Sequence, residues 1–164
     1  MIVEALRHLA VPVDSLSSLP GNPRRGDVDA VARSLDRFGQ RKPVVVDRSG
    51  VVIAGNHTLA AAVSLGWGEI AAVVVEDDEQ TARAFALADN RTSDLGSYDD
   101  GLLLDLLLGV DDSGLLEATG YSREDVEGLL GSGSDGVEAP DDFDSFGEDI
   151  DTAHSCPKCG YSWG

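Results

Sequence analysis

The chain has 164 residues, with 30 Asp+Glu against 12 Lys+Arg and a formal net charge of −18. That length accommodates one domain and a tail. No apolar run reaches the roughly 18–20 residues of a membrane-spanning helix, the opening MIVEALRHLA lacks a signal-peptide pattern, and two cysteines do not make a secreted disulfide framework. A cytoplasmic protein without membrane contact is expected.

Charge is unevenly spread. Residues 1–75 hold 7 acids and 8 bases, whereas residues 76–164 hold 23 acids and 4 bases. The second half repels a phosphate backbone at long range, which argues against a protein that coats DNA by itself. The first half suits a small anionic ligand.

Alternation through Leu9, Val11 and Val13 predicts a strand over residues 8–13. A rigid loop, Leu19-Pro20-Gly21-Asn22-Pro23-Arg24, follows. Asp27 is placed to cap a helix carrying Val28, Val31, Leu35 and Phe38, which Gly39 ends. Pro43-Val44-Val45-Val46 and Val51-Val52-Ile53-Ala54 flank Arg48-Ser49-Gly50 and predict a β-hairpin. Gly55-Asn56 opens a helix through Leu65, and Ile70–Val75 is a further strand, after which strands are expected to stop. Helices are expected from Glu76 to about Asn90, from Leu102 to Leu108 and from Leu115 to Thr119. A last one starts at a Ser122–Asp125 capping box and ends near Leu130. Residues 131–136 read as a Gly/Ser linker, and residues 135–151, with eight acids and no base, as disordered.

The expected architecture is α+β, a small mixed sheet with helices, then a helical subdomain and a disordered acidic tail. Its boundaries are a nucleotide-binding domain over residues 1–95, a helical extension over 96–130, a linker over 131–153 and a CxxC tail over 154–164.

Chemistry concentrates at Ala54-Gly55-Asn56-His57-Thr58. A strand, a glycine and a helix start leave backbone N–H groups aimed at an anion. His57 and Thr58 add side-chain donors. Alone this pattern is common, and simple capping explains it equally well.

The order of several segments is more specific. Asn22-Pro23-Arg24, Gly39-Gln40-Arg41-Lys42-Pro43, Gly55-Asn56-His57-Thr58-Leu59-Ala60-Ala61 and Leu87-Ala88-Asp89-Asn90-Arg91 resemble, in this order, the boxes of the ParB N-terminal domain in the ParB/sulfiredoxin superfamily. The resemblance covers about residues 8–95 and is of a type found in bacteriophage proteins. It implies a nucleoside triphosphate, CTP or ATP, held with Mg²⁺. Gly39 and Pro43 match the box near base and ribose. Gly55 and Ala61 match the phosphate box, with Asn56 beside the glycine and His57 and Thr58 at the two positions where ParB often has arginines. Asp89 and Asn90 match the Glu-Asn pair, so Asp89 is the implied Mg²⁺ ligand and, with His57, the candidate catalytic group. Arg24, Arg41 and Arg91 are the candidate phosphate donors in place of those arginines. Asn56 stands where sulfiredoxin has its reactive Cys, which excludes thiol chemistry there.

Cys156-Pro157-Lys158-Cys159-Gly160 has zinc-knuckle spacing, with His154 a candidate third Zn²⁺ ligand and a second chain a candidate source of the fourth. An inert tail and a redox pair are the alternatives.

The function expected is a Mg²⁺-dependent nucleotide-hydrolysing switch or phosphotransferase, phage-encoded, with a homodimer open. The rivals are a non-catalytic adaptor that reaches DNA through a DNA-modifying or DNA-packaging partner, and a metal-dependent nuclease.

Overall fold

The computed structural model describes residues 1–132 and 154–163. Residues Met1–Gly133 form one compact unit and Ser134–Gly164 a second. The expected linker and acidic disorder over residues 133–153 lie outside the described residues.

In the first unit a five-stranded mixed sheet is built from β1 (Ala10–Pro12), β2 (Ser17–Ser18), β3 (Val44–Val46), β4 (Val51–Ala54) and β5 (Glu69–Val74). Their order is β1-β5-β3-β4-β2. β5 runs antiparallel to β1 and parallel to β3, β3 and β4 form the antiparallel hairpin, and β2 lies parallel to β4. The α+β expectation holds.

The hairpin turn is fixed by one carboxylate. Asp47 Oδ1 accepts from the backbone N–H of Ser49 (2.8 Å) and Val51 (2.9 Å) and from the Ser49 hydroxyl (2.7 Å). These donors, the Ser49 hydroxyl foremost, hold the Asp47 carboxyl below the usual carboxylate range.

Helix α1 (Val28–Phe38) begins where the Asp27 carboxylate accepts from the Ala30 N–H and ends at Gly39. α2 (Asn56–Ser64) follows β4, and α3 (Glu79–Asp94) starts at its cap Asp78. Alternation along β4 sends Val52 and Ile53 to opposite faces. Val52 joins Val44, Val46, Ile70 and Leu59 of α2 in the main core. Ile53 packs with Ala82 and Ala86 of α3. The sheet is therefore covered on both faces, by α2 and by α3. A third cluster, Leu107, Leu116 and Val126, joins α4 (Asp100–Asp111), α5 (Leu116–Thr119) and α6 (Arg123–Ser132).

Several expectations need correction. Residues Glu4–Leu9 wind as a 3-10 turn and only Ala10–Pro12 is strand, because Leu6 N–H bonds locally to Val3 O (3.0 Å). α3 runs four residues beyond Asn90, to Asp94. α6 continues through Ser132, into the residues expected to begin the linker. Strands do not stop at Val75: β6 (His154–Ser155) and β7 (Ser162–Trp163) pair antiparallel in the second unit.

One buried polar group shapes the α1–β3 connection. Gln40 is 1% exposed. Its Nε2 donates to Ala71 O (2.9 Å) and Lys42 O (3.1 Å), and its Oε1 accepts from Ala71 N–H (2.7 Å). An amide side chain thus pairs with β5 as a strand backbone does, which removes the cost of burying it.

Candidate nucleotide site at the start of helix α2

Gly55 stands between β4 and α2 with φ +94, in the left-handed region. A Cβ there would lie 2.7 Å from Val44 Cγ1. Glycine is therefore required by the backbone turn and by the core beneath it. Glycine is required here whether or not a phosphate approaches it.

No side chain caps α2, and its first helical bond runs from Leu59 N–H to Gly55 O (3.0 Å). The N–H groups ahead of Leu59 open on a cavity of about 180 Å³ lined by Arg24, Gly55, Asn56, His57, Thr58, Asp89 and Asn90, with Asn22 and Ser93. Seven candidate residues from three separate segments thus share one cavity. Gly39 borders a neighbouring groove of about 440 Å³, where Thr58, Arg41 and Lys42 also contribute. Pro43 lies between Lys42 and β3. Arg91 is exposed on α3 and is not among the residues that line the smaller cavity.

The loop over residues 19–27 forms one wall. Asn56 Oδ1 accepts from Leu19 N–H (2.9 Å) and Asn56 Nδ2 donates to Val52 O (3.0 Å). Both ends of that side chain are occupied in holding the loop to β4, so Asn56 offers an anion its backbone. Asn22 Oδ1 accepts from Arg24 N–H (3.1 Å), and Arg24 Nη1 donates to Asp94 Oδ1 (2.8 Å). The His57 ring lies against Gly26, where a Cβ would come within 3.0 Å of Cε1, Nδ1 and Nε2. Asn90 Nδ2 donates to Ala86 O (2.8 Å), which leaves its Oδ1 as an acceptor in the cavity. Asn22, Ser93 and Asp94 are additions to the expected set. Asn22 is already visible in the Asn22-Pro23-Arg24 segment, whereas Ser93 and Asp94 follow from the extra turn of α3.

Residues 4–91 match the ParB N-terminal domain. The chain belongs to the ParB N-terminal domain family. It is 36% identical over 133 residues to a probable plasmid-partitioning protein ParB of Thermus thermophilus, covering 77% of this chain and 42% of that protein. It is 32% identical over 85 residues to YnaK of Escherichia coli, a ParB-like nuclease domain-containing protein, covering 49% of this chain and 98% of YnaK. The chain therefore spans less than half of the partitioning protein. Among solved structures, the C-terminally truncated chromosome-partitioning protein ParB of Caulobacter crescentus, complexed with CTP-gamma-S, shares the fold. Its TM-score is 0.61 at 19% identity, covering 74% of this chain and 75% of that one.

The second unit of this ParB-family chain holds the two cysteines, Cys156 half-buried and Cys159 exposed, both free. Peptide N–H groups of Lys158 and then Cys159, and the Cys159 thiol, hydrogen-bond the Cys156 sulfur and hold its thiol below the ordinary value. Among the described residues no three His, Cys, Asp or Glu side chains gather as a metal site. His154 therefore does not complete a three-ligand set with Cys156 and Cys159; its ring packs instead against Trp163, 5.9 Å between centroids. No helix among the described residues is long and apolar enough to cross a membrane.

Proposed function

We propose that the first unit binds a nucleoside triphosphate with Mg²⁺ in the cavity at the start of α2. The observation that carries this is the convergence of uncapped helix N–H groups, His57, Thr58 and Arg24 with the Asp89 carboxylate in one small cavity. Helix N-termini favour anions through free N–H groups and the helix dipole. CTP is the first candidate, supported by the fold shared with the CTP-gamma-S-bound ParB.

The donor set fits Mg²⁺, which takes oxygen ligands and keeps several from phosphate and water. Asp89 supplies a carboxylate and Asn90 an amide oxygen. Since the described residues gather no three-ligand metal group, the cation arrives as part of the nucleotide complex. Mg²⁺ would supply charge neutralisation between Asp89 and the phosphates. His57 and Thr58 donate to phosphate oxygens, and the Gly39–Lys42 groove takes the base or ribose. Hydrolysis as a switch, or transfer to an acceptor, uses this positioning with Asp89 and His57 at the reacting phosphate.

Calorimetric titration of the full chain with CTP, ATP, GTP and UTP, each with and without Mg²⁺, tests the reading. One nucleotide is expected to bind with Mg²⁺ and to lose most of its affinity in EDTA. His57→Ala and Thr58→Ala should each weaken binding by about 1–2 kcal/mol, the scale of a hydrogen bond to a charged group. Phosphate release then separates turnover from binding alone. If no triphosphate binds under any of these conditions, the reading fails.

A further inference from the structure

The nucleotide cavity leaves the hairpin of the second unit unexplained. Cys156 directly follows β6, and the chain reverses through Pro157, Lys158 and Cys159. Gly160 N–H donates to Cys156 O (2.9 Å), and Cys156 N–H donates to Tyr161 O (2.7 Å). Gly160 has φ +77, which lets the chain turn back beside Cys159. The result is a tight knuckle carrying two thiols on one turn.

Neither thiol serves a core. Next to them the Tyr161 and Trp163 rings stack at 6.3 Å and are 71% and 48% exposed. Exposed stacked aromatics on so short a hairpin, in a chain with only 5% aromatic residues, mark a surface suited to be covered.

Structural Zn²⁺ takes four ligands in a tetrahedron. Cys156 and Cys159 supply two, and among the described residues no third His, Asp or Glu gathers beside them. A two-fold axis doubles any ligand pair without new sequence. We infer that this hairpin is one half of a four-thiolate zinc site, completed by Cys156 and Cys159 of a second copy, with the Tyr161 and Trp163 rings of the two copies packing around it. Binding is not a redox step. Four thiols lose four protons, four S–Zn bonds form, and one dianionic centre results.

The test uses the full chain made with zinc in the medium and purified under reducing conditions. Metal analysis with native mass measurement should give one zinc per two chains. Chelator should return the dimer to monomer, and the zinc should be absent from Cys156→Ser and Cys159→Ser. Cobalt substitution of the parent protein should give a tetrahedral spectrum with four sulfur ligands. Zinc-free protein, one zinc per monomer, or a dimer that survives both chelator and the serine variants would each overturn the inference. Nucleotide titration is read separately, so failure at the cavity leaves this outcome untouched.

Discussion

Arg24 and Asp94 are seventy positions apart, and their side chains meet at 2.8 Å beside the cavity. The one guanidinium among the residues that line the cavity is therefore already engaged by a carboxylate from the last turn of α3. Both side chains keep substantial exposure, 36% and 52%, and an ion pair of that kind is worth about 0–1 kcal/mol. A phosphate bound as proposed would compete for the same guanidinium. Asp94→Asn should tighten nucleotide binding by up to about fivefold, the scale of an exposed pair. Arg24→Ala should weaken it by about 1.5–3 kcal/mol. Calorimetry on both variants and the parent reads the two effects, and tighter binding in neither Asp94→Asn nor Asp94→Ala would show that Arg24 is not held back.

Substituting Gly55 tests the fold rather than the ligand. A valine there meets Val44 at the 2.7 Å position and must adopt φ +94. Strained backbone and overpacking each cost about 1–3 kcal/mol. Gly55→Val should lower unfolding free energy by about 3 kcal/mol or more, seen as a fall in urea midpoint. A variant that unfolds like the parent would contradict the packing described.

Asn56→Ala removes an acceptor for Leu19 N–H and a donor to Val52 O. Leaving a partly buried backbone group unpaired costs about 1–3 kcal/mol. The expected loss is about 2 kcal/mol in urea unfolding, with faster hydrogen exchange over residues 19–26. Asn56→Asp keeps the acceptor alone and should recover part of the loss.

Asp47 carries a pH dependence with a definite sign. Its carboxyl lies below its ordinary value because the ionised form accepts from Ser49 and Val51. The hairpin stabilisation is then fully present above the unfolded carboxyl value of about 3.9 and is lost as pH falls through the lower folded value. Asp47→Ala should unfold at lower urea than the parent at about pH 7, with the gap narrowing toward about pH 3. A gap that widens on acidification would reverse the assignment.

Much of the sheet region is legible in the sequence because its signals are local. The β3–β4 hairpin follows from valine runs around Arg48-Ser49-Gly50. The Ser122–Asp125 box follows from spacing alone: Asp125 Oδ2 accepts from Ser122 N–H (2.7 Å) while Ser122 Oγ accepts from Asp125 N–H (3.2 Å). The residues that line the cavity together were legible through the order of short segments, which composition cannot supply. β2 was not legible, since Ser17 and Ser18 carry no apolar pattern and pair because Ser17 N–H reaches Gly50 O (2.9 Å). Gln40 looks like a surface residue until the sheet closes over it. The Arg24–Asp94 pair depends on α3 reaching one turn further than its apolar residues require.

The groove beside Gly39 and the cavity beside the end of α3 differ in how firmly their borders are tethered. On one side, the Gln40 amide locks the connection after α1 to the middle of the sheet through buried hydrogen bonds. On the other, the end of α3 is fastened by an exposed ion pair. A ligand that draws Arg24 inward therefore releases the α3 side and leaves the sheet side where it is. If the cavity takes the proposed ligand, the change is expected at the end of α3 rather than at the Gln40 bonds to β5.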